Sequence, residues 1–408
     1  MTLPFTFAWR YFKAKKKTNA ITIISWITAS VIAFSTMCQV LVLSVFNGFE
    51  DLVKSLYSNF YADVRIIPAQ GKTIILSGDT INLIRGLSNV KGVSLVVEER
   101  ALIQNGEEQT PFMLKGVDNN YSNVSGVPGK MQKGTFETGD ADKPFLVLGA
   151  GVENAIGVEA DKSISPITVF LPKRNVGTTD MLSAISEGNA FTSGSFAIQQ
   201  EFDDGYVITN LAFVKQQMNY GANEYGALEM KLKDSSRTKD VVRDLKKLLG
   251  SNYIVQTRYE QNPTLYNSMQ MEKWAVFAIL TLILIIAAFN MISALTMLVL
   301  EKKKDISVLQ SLGASRPLIL KIFLSEGMLL ASSGAVIGII MAILIGLAQI
   351  KFKFIKLTGN SFLIDYFPVK FILTDFVLVT GTAFLIAFIA SWIPARKASG
   401  QMISLRND

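Results

Sequence analysis

The segment Glu301-Lys302-Lys303-Lys304-Asp305-Ile306-Ser307-Val308-Leu309-Gln310-Ser311-Leu312-Gly313 carries the residue types best suited to chemistry, and that chemistry is recognition. Ile306, Leu309 and Leu312 recur at helical spacing with Val308 beside them. Glu301 opens the candidate docking segment, Lys302, Lys303, Lys304 and Asp305 keep its start soluble, and Gly313 can end a helix. A short amphipathic helix of this kind fits a partner's groove by its apolar face; the plainer alternative is an interfacial connector. Catalysis is a poor fit. The chain has no histidine, which removes His-based acid and base catalysis, Ser-His-Asp and Cys-His nucleophiles and His-ligated metals. Gly71-Lys72-Thr73 resembles the end of a phosphate-binding loop, but Ile66 stands where that loop needs its first glycine. The chain is therefore read as a non-enzyme that binds no cofactor or metal.

The elements that must hold such a segment are membrane helices. Half of the residues are apolar, and they cluster in four runs, 20–47, 274–300, 318–350 and 371–395. Each is long enough to cross about 30 Å of hydrocarbon at about 1.5 Å per residue, and lipid requires each to be helical. The fold class expected is a membrane α-helical protein of four spans with a mixed α/β domain, 48–273, inserted between the first and second. Residues 1–19 read as an interfacial helix rich in Phe5, Phe7, Trp9, Tyr11 and Phe12. Residues 301–317 form the docking loop, 351–370 a short outer loop and 396–408 a tail.

Charge orients this layout. Residues 49–272 hold about 22 Lys and Arg against about 27 Asp and Glu, so the basic excess lies around the spans. That distribution argues against nucleic acid, which needs a basic patch on the soluble domain. Arg10, Lys13, Lys15, Lys16, Lys17, Lys302, Lys303, Lys304, Arg316, Arg396, Lys397 and Arg406 share one side, which the positive-inside rule places in the cytoplasm. Lys351, Lys353, Lys356 and Lys370 in the short outer loop run against that pattern. The first span is too long for a signal core and lacks an A-x-A-like site, so it reads as a retained anchor. Its Cys38 is the sole cysteine, and the outer domain is expected to fold without disulfides.

Both the first span and the return helix are expected to project beyond the bilayer, through about Leu56 and from 264, with Trp274 at the interface. Strand patterns occur at 63–68, 93–104, 110–117, 145–149, 166–171, 195–200, 206–209, 226–233 and 253–257, and helical ones at 79–88, 211–219 and 236–250. Residues 172–194, rich in Gly, Ser, Thr and Asn, read as a long excursion. Gln39 and Asn290 inside the spans suit interhelical hydrogen bonds or a substrate path, and Gly334 and Gly338 suit close helix packing. Glu326 and Asp375 are placed near interfaces, where they can pair or snorkel.

The loop from Glu301-Lys302 to Gly313-Ala314, Glu326-Gly327, and Pro394-Ala395-Arg396-Lys397-Ala398 with Leu405-Arg406 resemble the FtsX-like, MacB-type permeases of ABC transporters. Ala8-Trp9-Arg10-Tyr11, Leu43-Ser44-Val45-Phe46-Asn47-Gly48-Phe49 and Lys115-Gly116-Val117-Asp118 are similar to the lipoprotein-releasing permease subunits within that superfamily. The resemblance implies a bacterial inner-membrane subunit that pairs with a second permease copy or paralogue and a cytoplasmic ATPase dimer holding ATP and magnesium. It also implies transmission of motion to the periplasm, where lipoprotein is released to a carrier, and an outer domain split into a part from both ends and a part from the middle. Residues 172–194 occupy the position of a carrier-binding loop but lack its proline-rich character. The alternatives are an exporter of amphiphilic molecules or peptides and a regulator of a cell-wall hydrolase. If acyl chains are taken up laterally between the projecting helices, Val40, Val45, Phe49, Met269 and Trp274 are expected to line the opening.

Overall fold

Long apolar runs satisfy their own backbones only as helices, and each of the four becomes one unbroken helix: α1 (Ala20–Phe60), α6 (Pro263–Glu301), α8 (Arg316–Phe352) and α9 (Leu373–Ser399). All four are long and apolar enough to cross a membrane. The computed structural model describes residues 20–163, 165–173, 185–356 and 366–400. The expected interfacial helix at 1–19 and the tail from 401 lie outside the described residues. The extensions expected of the first and second spans are present, since α1 runs to Phe60 and α6 starts at Pro263.

The chain divides into two compact units, a strand-rich one, Val53–Tyr266, and a helical one drawn from the chain on either side of it. In the strand-rich unit the strands are β1 (Val64–Pro68), β2 (Ile74–Ile75), β3 (Val90–Asn105), β4 (Glu108–Val117), β5 (Met131–Gly134), β6 (Phe145–Gly149), β7 (Ile167–Pro172), β8 (Ile185–Phe196), β9 (Tyr206–Asn210), β10 (Glu224–Tyr225), β11 (Ala227–Leu232) and β12 (Tyr253–Thr257). Helices α2 (Gly78–Arg85), α3 (Ala150–Ala155), α4 (Leu211–Met218) and α5 (Thr238–Leu249) are interspersed, with single helical turns at Gln200–Asp203 and Arg258–Gln261. Asn210 caps α4 by accepting from the Phe213 N–H at 2.7 Å, and Gly250, with φ +72, ends α5.

Strand order runs β12-β1-β11-β3-β4-β9-β6-β8-β5, and β7 pairs with both β3 and β8. The path β3-β4-β9-β6-β8-β7 therefore closes on itself. Two lobes follow, each with its own core. One, from both ends of the segment, packs Val64, Ile66, Val93, Leu228 and Met230 of the sheet against Ile81 and Ile84 of α2 and Val241 and Leu245 of α5. The other, from the middle, packs Leu114, Leu146, Leu148, Val169 and Val207 against Phe213, Val214 and Met218 of α4. A strand period of two sends Val147 and Ile208 to the opposite face, where they meet Tyr57 and Phe60 from the end of α1.

The expected excursion at 172–194 needs correction. β7 continues to Pro172 and β8 already begins at Ile185, with Ile167 paired to Ala190 and Leu171 to Ser186. Only 174–184 between them lie outside the described residues. Small residues that mimic loop composition are required here, because a Cβ on Gly188 would come within 2.8 Å of both Gln217 and Phe213 of α4. The strand expected at 195–200 is the end of this same strand, which stops at Phe196.

Candidate functional site: a helix turn between two spans and the polar knots that hold the long helices

The segment 301–317 forms α7 (Lys303–Ser311), separated from α6 by a single non-helical residue, Lys302. Lys302 pairs with Asp305 at 3.2 Å. Gly313 adopts φ +89 and the Ala314 N–H donates to the Leu309 carbonyl at 2.9 Å, a helix end that only glycine accommodates without strain. The stripe is not uniform. Ile306 is 1 % exposed and packs with Val299 of α6, Ile319 and Phe323 of α8, and Ala395 and Ala398 of α9. Val308 is 59 % exposed, Leu312 80 %, and Leu309 is half-buried. Ile306, expected on the docking face, instead fastens α7 to its own bundle. The outward surface is made by Val308 and Leu312 with the exposed Glu301, Lys304 and Asp305.

At the other end of the helical unit a polar knot joins three long helices. Asn47 of α1 donates from Nδ2 to Asp375 Oδ2 of α9 at 2.5 Å and accepts at Oδ1 from Lys273 Nζ of α6 at 2.8 Å. Lys273 also reaches Asp375 Oδ1 at 3.3 Å. Asn47 and Asp375 are buried, and the Asp375 carboxylate is met inside the bundle by the Lys273 ammonium and the Asn47 amide. Beside them Gly48 lies so close to Pro368 that a Cβ would stand 2.3 Å from its carbonyl oxygen, and Lys370 pairs with Asp51.

In the strand-rich unit the last turns of α1 are locked by aromatic packing and by buried charge. Phe60 stacks on Phe202 with ring centroids 4.3 Å apart and meets Tyr206 at 4.5 Å; Tyr57 hydrogen-bonds Glu201. Under Phe60 lies Lys115, fully buried, its Nζ 4.9 Å from that ring and 5.2 Å from Tyr121. Lys115 Nζ is 2.8 Å from Glu229 Oε1 and 3.0 Å from Glu98 Oε1, while Arg65 contacts Glu98 at 2.5 Å. Strand register assembles the cluster, because Glu98 faces Lys115 across β3 and β4 and Arg65 faces Glu229 across β1 and β11. Burial alone would push the Lys115 ammonium down, but Glu229 and Glu98 outweigh it and raise it. Burial would likewise raise Glu98, yet Arg65 and Lys115 hold it well below the usual carboxylate range.

The residues expected to line a lateral opening separate into two groups. Val40 is buried among Leu43, Ala342 and Val379, so helix packing accounts for it and it lines no opening. Phe49 packs edge-on against Phe367 at 5.6 Å, and Val45 and Met269 are half-buried. Trp274 is 56 % exposed and rests on Phe277, which itself packs on the Val40 cluster. Of the polar residues within the spans, Gln39 donates to Thr281 Oγ1 at 3.0 Å, whereas Asn290 is exposed. Gly334 and Gly338 allow α8 to press on α1, since a Cβ at each would stand 2.8 Å from the Ala29 carbonyl and 2.3 Å from that of Ala33. The knot around Lys273 and the cluster around Lys115 are not evident from sequence pattern. Their one sequence signal is a charged residue inside an otherwise apolar run, as in Phe112-Met113-Leu114-Lys115-Gly116-Val117.

Residues 25–248 match the MacB-like periplasmic core domain family, and residues 277–403 match the FtsX-like permease C-terminal family. The chain belongs to the FtsX-like, MacB-type permeases. The permease is 27 % identical over 399 residues to the lipoprotein-releasing system transmembrane protein LolC of Xylella fastidiosa, covering 96 % of this chain and 95 % of the relative. It is 28 % identical to LolC of Neisseria meningitidis serogroup B, with 96 % and 95 % covered. With the lipoprotein-releasing system transmembrane protein LolE of Haemophilus influenzae it shares 26 % identity over 416 residues, with 98 % and 97 % covered. A membrane subunit of an ABC transporter, with four membrane-length helices and a periplasmic domain of the MacB type, is therefore the established class.

Proposed function

We propose that the permease releases lipoproteins from the bacterial inner membrane by passing motion from a cytoplasmic ATPase dimer to its periplasmic domain. The observation that carries this reading is similarity to LolC and LolE over almost the whole of both chains. The geometry fits. Val308 on α7 and Leu312 at its C-terminal end offer the ATPase an apolar surface, and Ile306 ties that helix to α6, α8 and α9. ATP and magnesium belong to the ATPase. The knot of Asn47, Lys273 and Asp375 then moves the far ends of α1, α6 and α9 together. The charge cluster under Phe60 makes the end of α1 rigid within the sheet. Each permease works beside a second copy or a paralogue, and a periplasmic carrier receives the lipoprotein.

Orientation follows from the basic residues on the α7 side. With Cys38 replaced by Ala, a cysteine at the exposed Glu187 is expected to react with an impermeant thiol reagent in intact spheroplasts, and one at Ser315 to stay protected. The reverse labelling would invert the permease.

Lipoprotein itself is tested at Trp274, the exposed member of the residues expected at the opening. A photocrosslinker there is expected to capture a lipid-modified protein without ATP and to lose it after turnover. Capture of the partner permease alone would favour an exporter of amphiphiles, which the MacB-type domain also fits, or a hydrolase regulator.

A further inference from the structure

Three of the four lysines that run against the charge pattern, Lys351, Lys353 and Lys356, sit on a built platform. α8 ends at Phe352, and Lys353 turns the chain with φ 52, its N–H donating to the Gln349 carbonyl at 2.9 Å. Gln349 is buried, and its side chain staples the turn. Its Nε2 donates to the Ile355 carbonyl at 3.0 Å and the Phe367 carbonyl at 3.2 Å, and its Oε1 accepts from the Ile355 N–H at 3.0 Å. The Phe367 N–H closes the loop onto the Ile355 carbonyl at 3.1 Å, and Lys356 bridges to Tyr366.

What this fixed turn displays is unusual for a surface facing water. Phe352, Phe354 (70 % exposed) and Ile355 all point outward, interleaved with exposed Lys351, Lys353 and Lys356. Phe352 and Phe354 stack 5.3 Å apart, and the Lys353 ammonium lies 4.0 Å over the Tyr366 ring. No carboxylate pairs with these three lysines among the described residues, and all three side chains are exposed. Aromatic rings interleaved with lysines at the end of a membrane-length helix match the boundary between acyl chains and headgroups. Three exposed ammonium groups on one turn, with no carboxylate partner among the described residues, suit an anionic surface, and zwitterionic lipid supplies no net negative charge.

We propose that Lys351, Lys353 and Lys356, held on the Gln349-stapled turn with Phe352, Phe354 and Ile355, bind the phosphate-bearing headgroups of anionic phospholipids at the membrane surface reached by this end of α8. The site fixes that end of α8 in depth and gathers anionic lipid around it. It rests on the membrane placement of α8 and is independent of lipoprotein release.

The test uses the full-length chain in detergent, titrated with phosphatidylglycerol and with phosphatidylethanolamine, with retained lipid counted by native mass spectrometry. Phosphatidylglycerol is expected to bind about tenfold or more tightly than phosphatidylethanolamine, from the known attraction of clustered lysines to anionic headgroups. Substituting Lys351→Gln, Lys353→Gln and Lys356→Gln together is expected to abolish that preference. The same charge change at Lys91, Lys239 and Lys247, exposed in the strand-rich unit, is expected to leave it intact. Excess inorganic phosphate is expected not to compete, which separates a lipid site from a free-anion site. Equal retention of the two lipids by the unsubstituted chain, or an unchanged preference in the triple variant, would overturn the proposal. A photocrosslinker at Phe354 in native membranes keeps the test independent of the lysine variants: adducts with phospholipid support the site, and adducts with protein alone overturn it. Neither outcome bears on the crosslinks at Trp274.

Discussion

Lys115→Met is expected to destabilise the strand-rich unit by about 3–5 kcal/mol, the cost of leaving a buried charge without its partner. The substitution keeps most of the side-chain volume, so the cavity contribution is small and the loss reports the ion cluster. Glu229 and Glu98 then share only Arg65, which lies 4.0 Å from Glu229. Hydrogen exchange of the full-length chain is the measurement, read at the amides of β3, β4 and β11. At about 1.4 kcal/mol per factor of ten, protection there is expected to fall by about 100-fold or more. Adding Glu229→Gln should recover a substantial part of the loss, because the surplus carboxylate is then gone. Protection unchanged in Lys115→Met would mean that the cluster contributes nothing to the rigidity of the α1 end. The acid limb has a definite sign. Glu98 is depressed to about 2 in the folded chain, so its contribution is complete above the ordinary glutamate value of about 4.3 and is lost as pH falls from there toward 2.

The same cluster shows where sequence stops being legible. The four spans are visible because length and apolarity together allow one conformation in lipid, and the observed helices contain each expected run, save for the first two residues of the last one. Most strands and the helices at 78–85, 211–218 and 238–249 also follow from period and caps. Arg65, Glu98, Lys115 and Glu229 are different. Each is an unexceptional charge in its own strand, and only the register of β1 on β11 and β3 on β4 makes them neighbours. β8 is hidden for another reason: Gly188 faces α4, where a larger side chain has no room, and the small Ala190 and Thr192 are buried on the same face, so the strand has the composition of a loop. The knot at Lys273 combines residues from three helices, and no local pattern relates Asn47 to Asp375.

Helical spacing has a similar limit in α7, and two substitutions expose it. Period identifies Ile306, Leu309 and Leu312 as one stripe, yet it does not say what the stripe meets. The structure turns Ile306 inward against Val299, Ile319 and Phe323 and leaves Leu312 outside. Ile306→Asp therefore places a carboxylate among apolar side chains of the permease itself. A loss of about 3 kcal/mol or more is expected, from missing packing and an unpaired buried charge, seen as a lower unfolding temperature of the isolated chain. Leu312→Asp changes a surface position and is expected to alter stability by no more than about 0.5 kcal/mol. If α7 docks on the ATPase, the same substitution puts that carboxylate into the partner's apolar groove. Association is then expected to weaken by about 10- to 100-fold, as for a contact residue worth roughly 1.4–2.8 kcal/mol. Unfolding of the isolated permease and co-purification of the ATPase separate the two effects. Loss of ATPase from a normally stable Leu312→Asp chain supports docking through the outer face, whereas full ATPase retention in that variant would leave α7 as a connector and remove the coupling role proposed for it.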